Sequence, residues 1–113
     1  MAIQTVAEKN SLATKYAADA LYGALFTTAP SSTAGTEVTG GTPAYARKAL
    51  TWGAASGGVV TASATFDVPA CTVVGTGVYA ALTAGTYLDG NTVTSVTFAT
   101  QDTVTVTFTF TAA

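Results

Sequence analysis

The side chains best placed to carry acid–base chemistry are six carboxylates: Glu8, Asp19, Glu37, Asp67, Asp89 and Asp102. Glycoside hydrolysis needs two of them facing each other across a cleft. Most instead fall in predicted turns or at strand ends, where acidic side chains bond local backbone. The chain has no histidine, which removes Ser–His and Cys–His nucleophile pairs and any imidazole metal site. Cys71 is alone, so it can form neither an intrachain disulfide nor a structural zinc site. It sits in the apolar run 68–74 and reads as a buried, inert thiol. The Gly75-Thr76-Gly77 triplet lacks the third glycine and the following helix of a phosphate-binding turn. The loop aspartates do not cluster as a calcium loop requires. The residues predict neither an enzyme nor a cofactor site.

Two further groups have chemistry worth placing. Glu37 lies ten residues before Arg47, across the Gly40-Gly41 pair. A hairpin there would bring them together as a charge pair fixing the turn; with so few charges in the chain, either could instead reach another subunit. Tyr45 and Trp52 lie an odd number of residues apart in one predicted strand, which puts them on opposite faces. One should enter the core and the other could anchor an interface.

The elements that must hold these groups are β-strands. Residues 103–111 alternate strictly, with Val104, Val106, Phe108 and Phe110 on one side and threonine on the other. Period two marks a strand with one buried and one wet face. Further strands are predicted at 21–28, 45–52, 59–66, 73–74, 78–82 and 92–98. Between them lie the Pro/Ser/Thr/Gly stretch 30–35, the Gly-rich stretch 53–58, a break at 75–77 and an Asp89-Gly90 turn. Strands at this spacing predict an antiparallel, jelly-roll-like β-sandwich. Asn10 or Ser11 could cap a short helix over about 11–20, with Leu12, Tyr16 and Ala20 on its packed face. Residues 1–9 read as an N-terminal arm, with Ile3 and Val6 as its apolar contacts, and 10–113 as one domain. The threonine array also suits an ice-binding face, but long alternation occurs in one strand only, and strand propensity on a wet face explains it.

Composition narrows the partners. The 113 residues are enough for one domain with a modest core. Only 9% are charged, against roughly 25% in ordinary domains. A surface wetted by hydroxyls loses less on burial against another subunit than one wetted by unpaired charges. The four cations, Lys9, Lys15, Arg47 and Lys48, cannot form a phosphate-binding stripe, and the net charge is −2, so no nucleic-acid partner is expected. No apolar run of about twenty residues exists, so no membrane span is expected. The N-terminus lacks the basic-then-apolar order of a signal peptide, which predicts a chain kept in the cytoplasm until it joins something. Residues 103–113 carry no charge or proline; as an open edge they would template aggregation. The last strand is therefore expected to be central in its sheet or paired across a subunit boundary.

The stretches Leu25-Phe-Thr-Thr-Ala-Pro30, Thr36-Glu-Val-Thr-Gly-Gly41, Tyr45-Ala-Arg47, Leu50-Thr-Trp-Gly-Ala-Ala55 and 98–106 together resemble a known family. It is that of small virion proteins of tailed bacteriophages, especially of actinobacterial hosts, often labelled tail fibre or minor capsid proteins. The resemblance spans roughly residues 10–111. Ala29 stands where the family has Asp before proline, and 42–44 lengthen the turn before Tyr45. The resemblance implies a structural protein of the virion. It further implies a homotrimer that decorates the capsid by binding the major capsid protein, or else a tail fibre or minor tail protein contacting the host. Ile3, Val6, Glu37, Tyr45, Arg47 and Trp52 are the candidate interface residues.

Overall fold

A computed structural model describes residues 3–112. They form one helix, α1 (Val6–Asp19), and six strands: β1 (Tyr22–Phe26), β2 (Lys48–Ala49), β3 (Val59–Val68), β4 (Cys71–Tyr79), β5 (Tyr87–Phe98) and β6 (Asp102–Thr111). All pairings are antiparallel. Four strands make one sheet in the order β2-β1-β4-β5, and β3 with β6 makes a second. The result is the expected all-β sandwich with one short helix.

The helix begins earlier than its sequence pattern suggested. Thr5 is the N-cap, and its hydroxyl accepts from the Glu8 amide at 3.3 Å. Thr5-x-x-Glu8 is a capping-box spacing, and the acid also suits the positive end of the helix. The arm over 1–9 therefore shrinks: 6–9 are helical, 3–5 lead in, and Met1 and Ala2 lie outside the described residues. Asn10 is not a cap. Its Oδ1 accepts from the Gly58 amide at 2.7 Å and ties the helix to the start of β3. Of the expected packed face, Tyr16 and Ala20 do pack on the core, but Leu12 is 42% exposed and the neighbouring Ala13 is fully buried instead. Alanine lets the helix approach β3 and β6 closely, and Tyr16 then stacks on Phe110 with ring centroids 3.9 Å apart. Among the described residues no helix is long and apolar enough to cross a membrane.

Between the sheets lies the main core, built on Leu25, Val38, Leu50, Phe66, Val68, Val73, Val78 and Phe108. A second, smaller cluster of Ala24, Phe26 and Tyr79, with Tyr87 against it, covers the far face of the larger sheet. The glycines read from sequence as breaks serve this second cluster. A Cβ at Gly77 would meet the Phe26 ring at 2.5 Å, one at Gly75 would strike Pro30, and one at Gly90 would strike the Tyr87 hydroxyl. Hence 75–77 run straight through β4 rather than dividing it, and Asp89-Gly90 lie inside β5 opposite Val78 and Gly77 rather than at a turn. The turn between β4 and β5 falls at 80–86, where Ala84 (φ 52°) and Gly85 (φ 72°) take left-handed backbone.

Two other expectations change. The strand at 45–52 contracts to Lys48 and Ala49, paired with Gly23 and Tyr22, because Tyr45 and Trp52 turn inward to backbone partners on either side. The last strand is not central. It pairs with β3 along its whole length from 102 to 111 and forms the edge of a two-stranded sheet. Phe108 is buried on its inner face, while Ser63–Thr107 (3.1 Å) and Thr65–Thr105 (2.8 Å) hydroxyl bonds cross the outer face.

Candidate interface and its anchoring cluster

Glu37, Tyr45 and Arg47 do come together. Phe26 and Glu37 form an isolated bridge that lays residue 37 beside the end of β1. The chain then loops back through Gly40 and Gly41, both at positive φ, to return Tyr45 and Arg47 alongside. The Tyr45 amide closes this loop on the Gly40 carbonyl at 2.9 Å. The Arg47 guanidinium grips the Glu37 carboxylate with two bonds, Nε to Oε2 and Nη2 to Oε1, both 3.0 Å. Its Nη1 donates to the carbonyls of Ala81 (3.1 Å) and Ala84 (2.6 Å), fastening the β4–β5 turn. The group also lies 3.5 Å from the centroid of the Tyr79 ring, a cation–π contact. Tyr45 donates to Glu37 Oε2 at 2.8 Å and accepts from the Leu25 amide at 2.9 Å.

The cluster is electrically closed. Burial, and then the adjacent Glu37 carboxylate, push the Tyr45 hydroxyl well above its usual pKa, so it stays a neutral donor. With an Arg47 side-chain exposure of 9%, the pair is too sheltered to be an ordinary surface ion pair. Its three residues spend their polar atoms on the protein itself, and a hollow of about 400 Å³ beside them is walled largely by Val38, Ala46, Leu82 and Ala84. The arrangement ties the loop over 38–44 to strand β1 and to the β4–β5 turn.

The other candidates are scattered. Trp52 sits elsewhere, its indole donating to the Ala20 carbonyl at 2.7 Å and meeting Tyr16 edge-on at 5.8 Å. Tyr45 and Trp52 both pack on the main core, so the opposite-face expectation fails because the strand that would impose it is only two residues long. Ile3 is half-buried ahead of the helix, and Val6 is 57% exposed at its start. Cys71 is half-buried, and burial raises its thiol pKa away from the reactive thiolate. Among the described residues no group of three or more acidic or thiol side chains could hold a metal ion.

Sequence reasoning missed a second strut and an open side. The Tyr16 hydroxyl donates to Asp89 Oδ2 at 3.0 Å, joining the helix to β5; burial and that carboxylate both raise its pKa. Beyond this strut, two adjoining hollows of about 290 and 350 Å³ run between β5 and β6. They share Thr76, Val93, Val106 and Thr107 as walls. The signal for the open side was present in sequence: β5 carries valines at 93 and 96, with no charge after Asp89.

The Glu37–Arg47 pair and the Tyr16–Asp89 bond brace this β-sandwich from within. The chain belongs to the family described as Podophage GP4 fiber I protein gp80, whose model matches residues 7–112. That family is one of structural phage fibre proteins and not of enzymes. The match begins one residue inside α1 and ends just past β6, so it takes in the whole sandwich together with the Glu37–Tyr45–Arg47 cluster. Among curated proteins and among solved structures, none matches the chain.

Proposed function

We propose that this protein is a fibre component of a phage tail, a structural part of the virion that presents its surface towards the host. The family match over 7–112 carries this reading. The fold supports it: a short, elongated sandwich, 46 Å by 23 Å by 23 Å, braced by a sheltered ion pair and aromatic contacts, suits a building block of an appendage. Shell decoration through the major capsid protein, as a homotrimer, is a second reading. It is favoured by the absence of any fibrous repeat within these 113 residues. Gold-labelled antibody against the chain, applied to intact particles, separates the two. Label at the tail is the expected result, and label spread over the head would replace the fibre reading by the decoration one. Binding of the purified chain to host cells tests the host-facing part; no retention above a control protein counts against it.

A further inference from the structure

The side of the sandwich between β5 and β6 is unfinished in both layers. β5 ends the four-stranded sheet and β6 ends the two-stranded one. The hydrogen-bond phase of β6 follows from one bond: the Ala112 amide donates to the Gly58 carbonyl at 2.8 Å. Alternation along an antiparallel ladder then turns the backbone of Phe110, Phe108, Val106 and Val104 towards β3. The amides and carbonyls of Thr105, Thr107 and Thr109 point the other way. The outward edge of β3 obeys the same phase but is covered, since the Thr61 carbonyl accepts from the Gly53 amide at 3.0 Å and Val59 exchanges bonds with Ser56. Among the described residues, the three threonines on β6 have no such backbone partner.

The layer opposite is uncovered at the same place. Val96 pairs with Val73, so both side chains share the inner face of the larger sheet. Val73 is 6% exposed and Val96 is 47% exposed, because two strands cannot roof four. An unpaired backbone edge and an uncovered apolar inner face thus lie side by side.

We infer that this open side is a self-association surface, closed by the same side of a second copy of the chain. Charge argues for that occupant. β5 and β6 carry one charge each, Asp89 and Asp102, and residues 90–98 and 103–111 have none, so most of the face can meet a second copy of a chain of net charge −2 without bringing like charges into register. Area agrees. The ten residues of β6 span about 33 Å at roughly 3.3 Å each. Two layers about 10 Å apart, with the width of their side chains, give an end face of roughly 500–650 Å² per copy. The total, roughly 1,000–1,300 Å², reaches the lower range of specific protein interfaces, whereas a single added peptide strand would satisfy one layer only. The antiparallel sense of β5 and β6 lets either edge accept the other from a neighbour. This inference goes beyond the virion assignment and holds or fails without it.

The test uses the purified full chain in light scattering over a wide concentration range, with amide hydrogen exchange read at 105, 107 and 109. Assembly into more than one copy is expected, with these three amides protected in step with it. Thr107→Pro removes an outward donor and leaves the β3 ladder intact, because the Thr107 amide faces away from β3. It should reduce the assembly to single chains with an unchanged near-ultraviolet circular dichroism spectrum. A wild-type chain that stays single, or an assembly in which the three amides exchange as fast as an open edge, overturns the inference. The exchange readout stands even if the proline variant does not fold.

Discussion

Replacing Glu37 by alanine tests whether the Glu37–Tyr45–Arg47 cluster braces the fold. The substitution deletes three hydrogen bonds at once: two from Arg47 and one from Tyr45. It also leaves the guanidinium, 9% exposed, without its counter-charge. Breaking a fully buried pair by removing one partner costs about 3–5 kcal/mol. Glu37 keeps 24% side-chain exposure, and Arg47 retains the Ala81 and Ala84 carbonyls, so water and backbone recover part of that. A loss of roughly 2–3 kcal/mol follows. A chain of 113 residues has an unfolding entropy near 0.24 kcal/mol per kelvin, from about 2.1 cal/mol/K per residue. Each kcal/mol therefore moves Tm by about 4 °C, and Glu37→Ala should lower it by about 8–13 °C in a circular dichroism melt. The double variant Glu37→Ala/Arg47→Met should lose less than the sum of the single losses, with a coupling above about 1 kcal/mol. A single-variant change under about 2 °C, or strictly additive losses, would refute the bracing argument.

Three further outcomes follow from the same structure. Thr5→Ala removes the helix N-cap and should cost about 1 kcal/mol, seen as a Tm lower by about 4 °C with α1 fraying first in amide exchange; an unchanged melt would return the helix start to residue 10 or 11. Gly77→Ala places a methyl against the Phe26 ring and should destabilise by about 1–3 kcal/mol, whereas Gly53→Ala, with no neighbouring atom closer than 3.9 Å to the added Cβ and no positive φ, should leave the melt nearly unchanged; equal melts for the two would contradict the packing role of Gly77. The hydroxyls of Tyr16, Tyr45, Tyr79 and Tyr87 all have raised pKa values, with burial the leading cause. The folded state thus holds these protons more tightly than the unfolded one, so their contribution is complete below about pH 10 and is lost as pH climbs towards the folded values. Phenolate absorbance should accordingly lag behind that of the denatured chain above pH 10, and coincident titration curves would contradict it.

The strand periodicity was legible because it is local. Residues 103–111 alternate in a way only a half-buried strand satisfies, and β6 spans them. The Glu37–Arg47 pair was legible because two opposite charges flanking a Gly-Gly turn have few other ways to be satisfied. The helix start was also written in the chain, as Thr5-x-x-Glu8, and was missed because Asn10 and Ser11 offered a competing cap. By contrast, Asp89-Gly90 and Gly75-Thr76-Gly77 have the composition of turns yet lie within strands. Their glycines answer to Phe26, Pro30 and Tyr87, which reach them from elsewhere in the sequence.

By itself, then, the sequence determined an antiparallel β domain poor in charge and without histidine, since periodicity and composition act over a few residues. Tertiary structure alone decided which glycines make room for rings, which face of α1 packs, and that β6 ends its sheet beside an uncovered β5. Each of these depends on which strands become neighbours, a long-range outcome that no local pattern specifies.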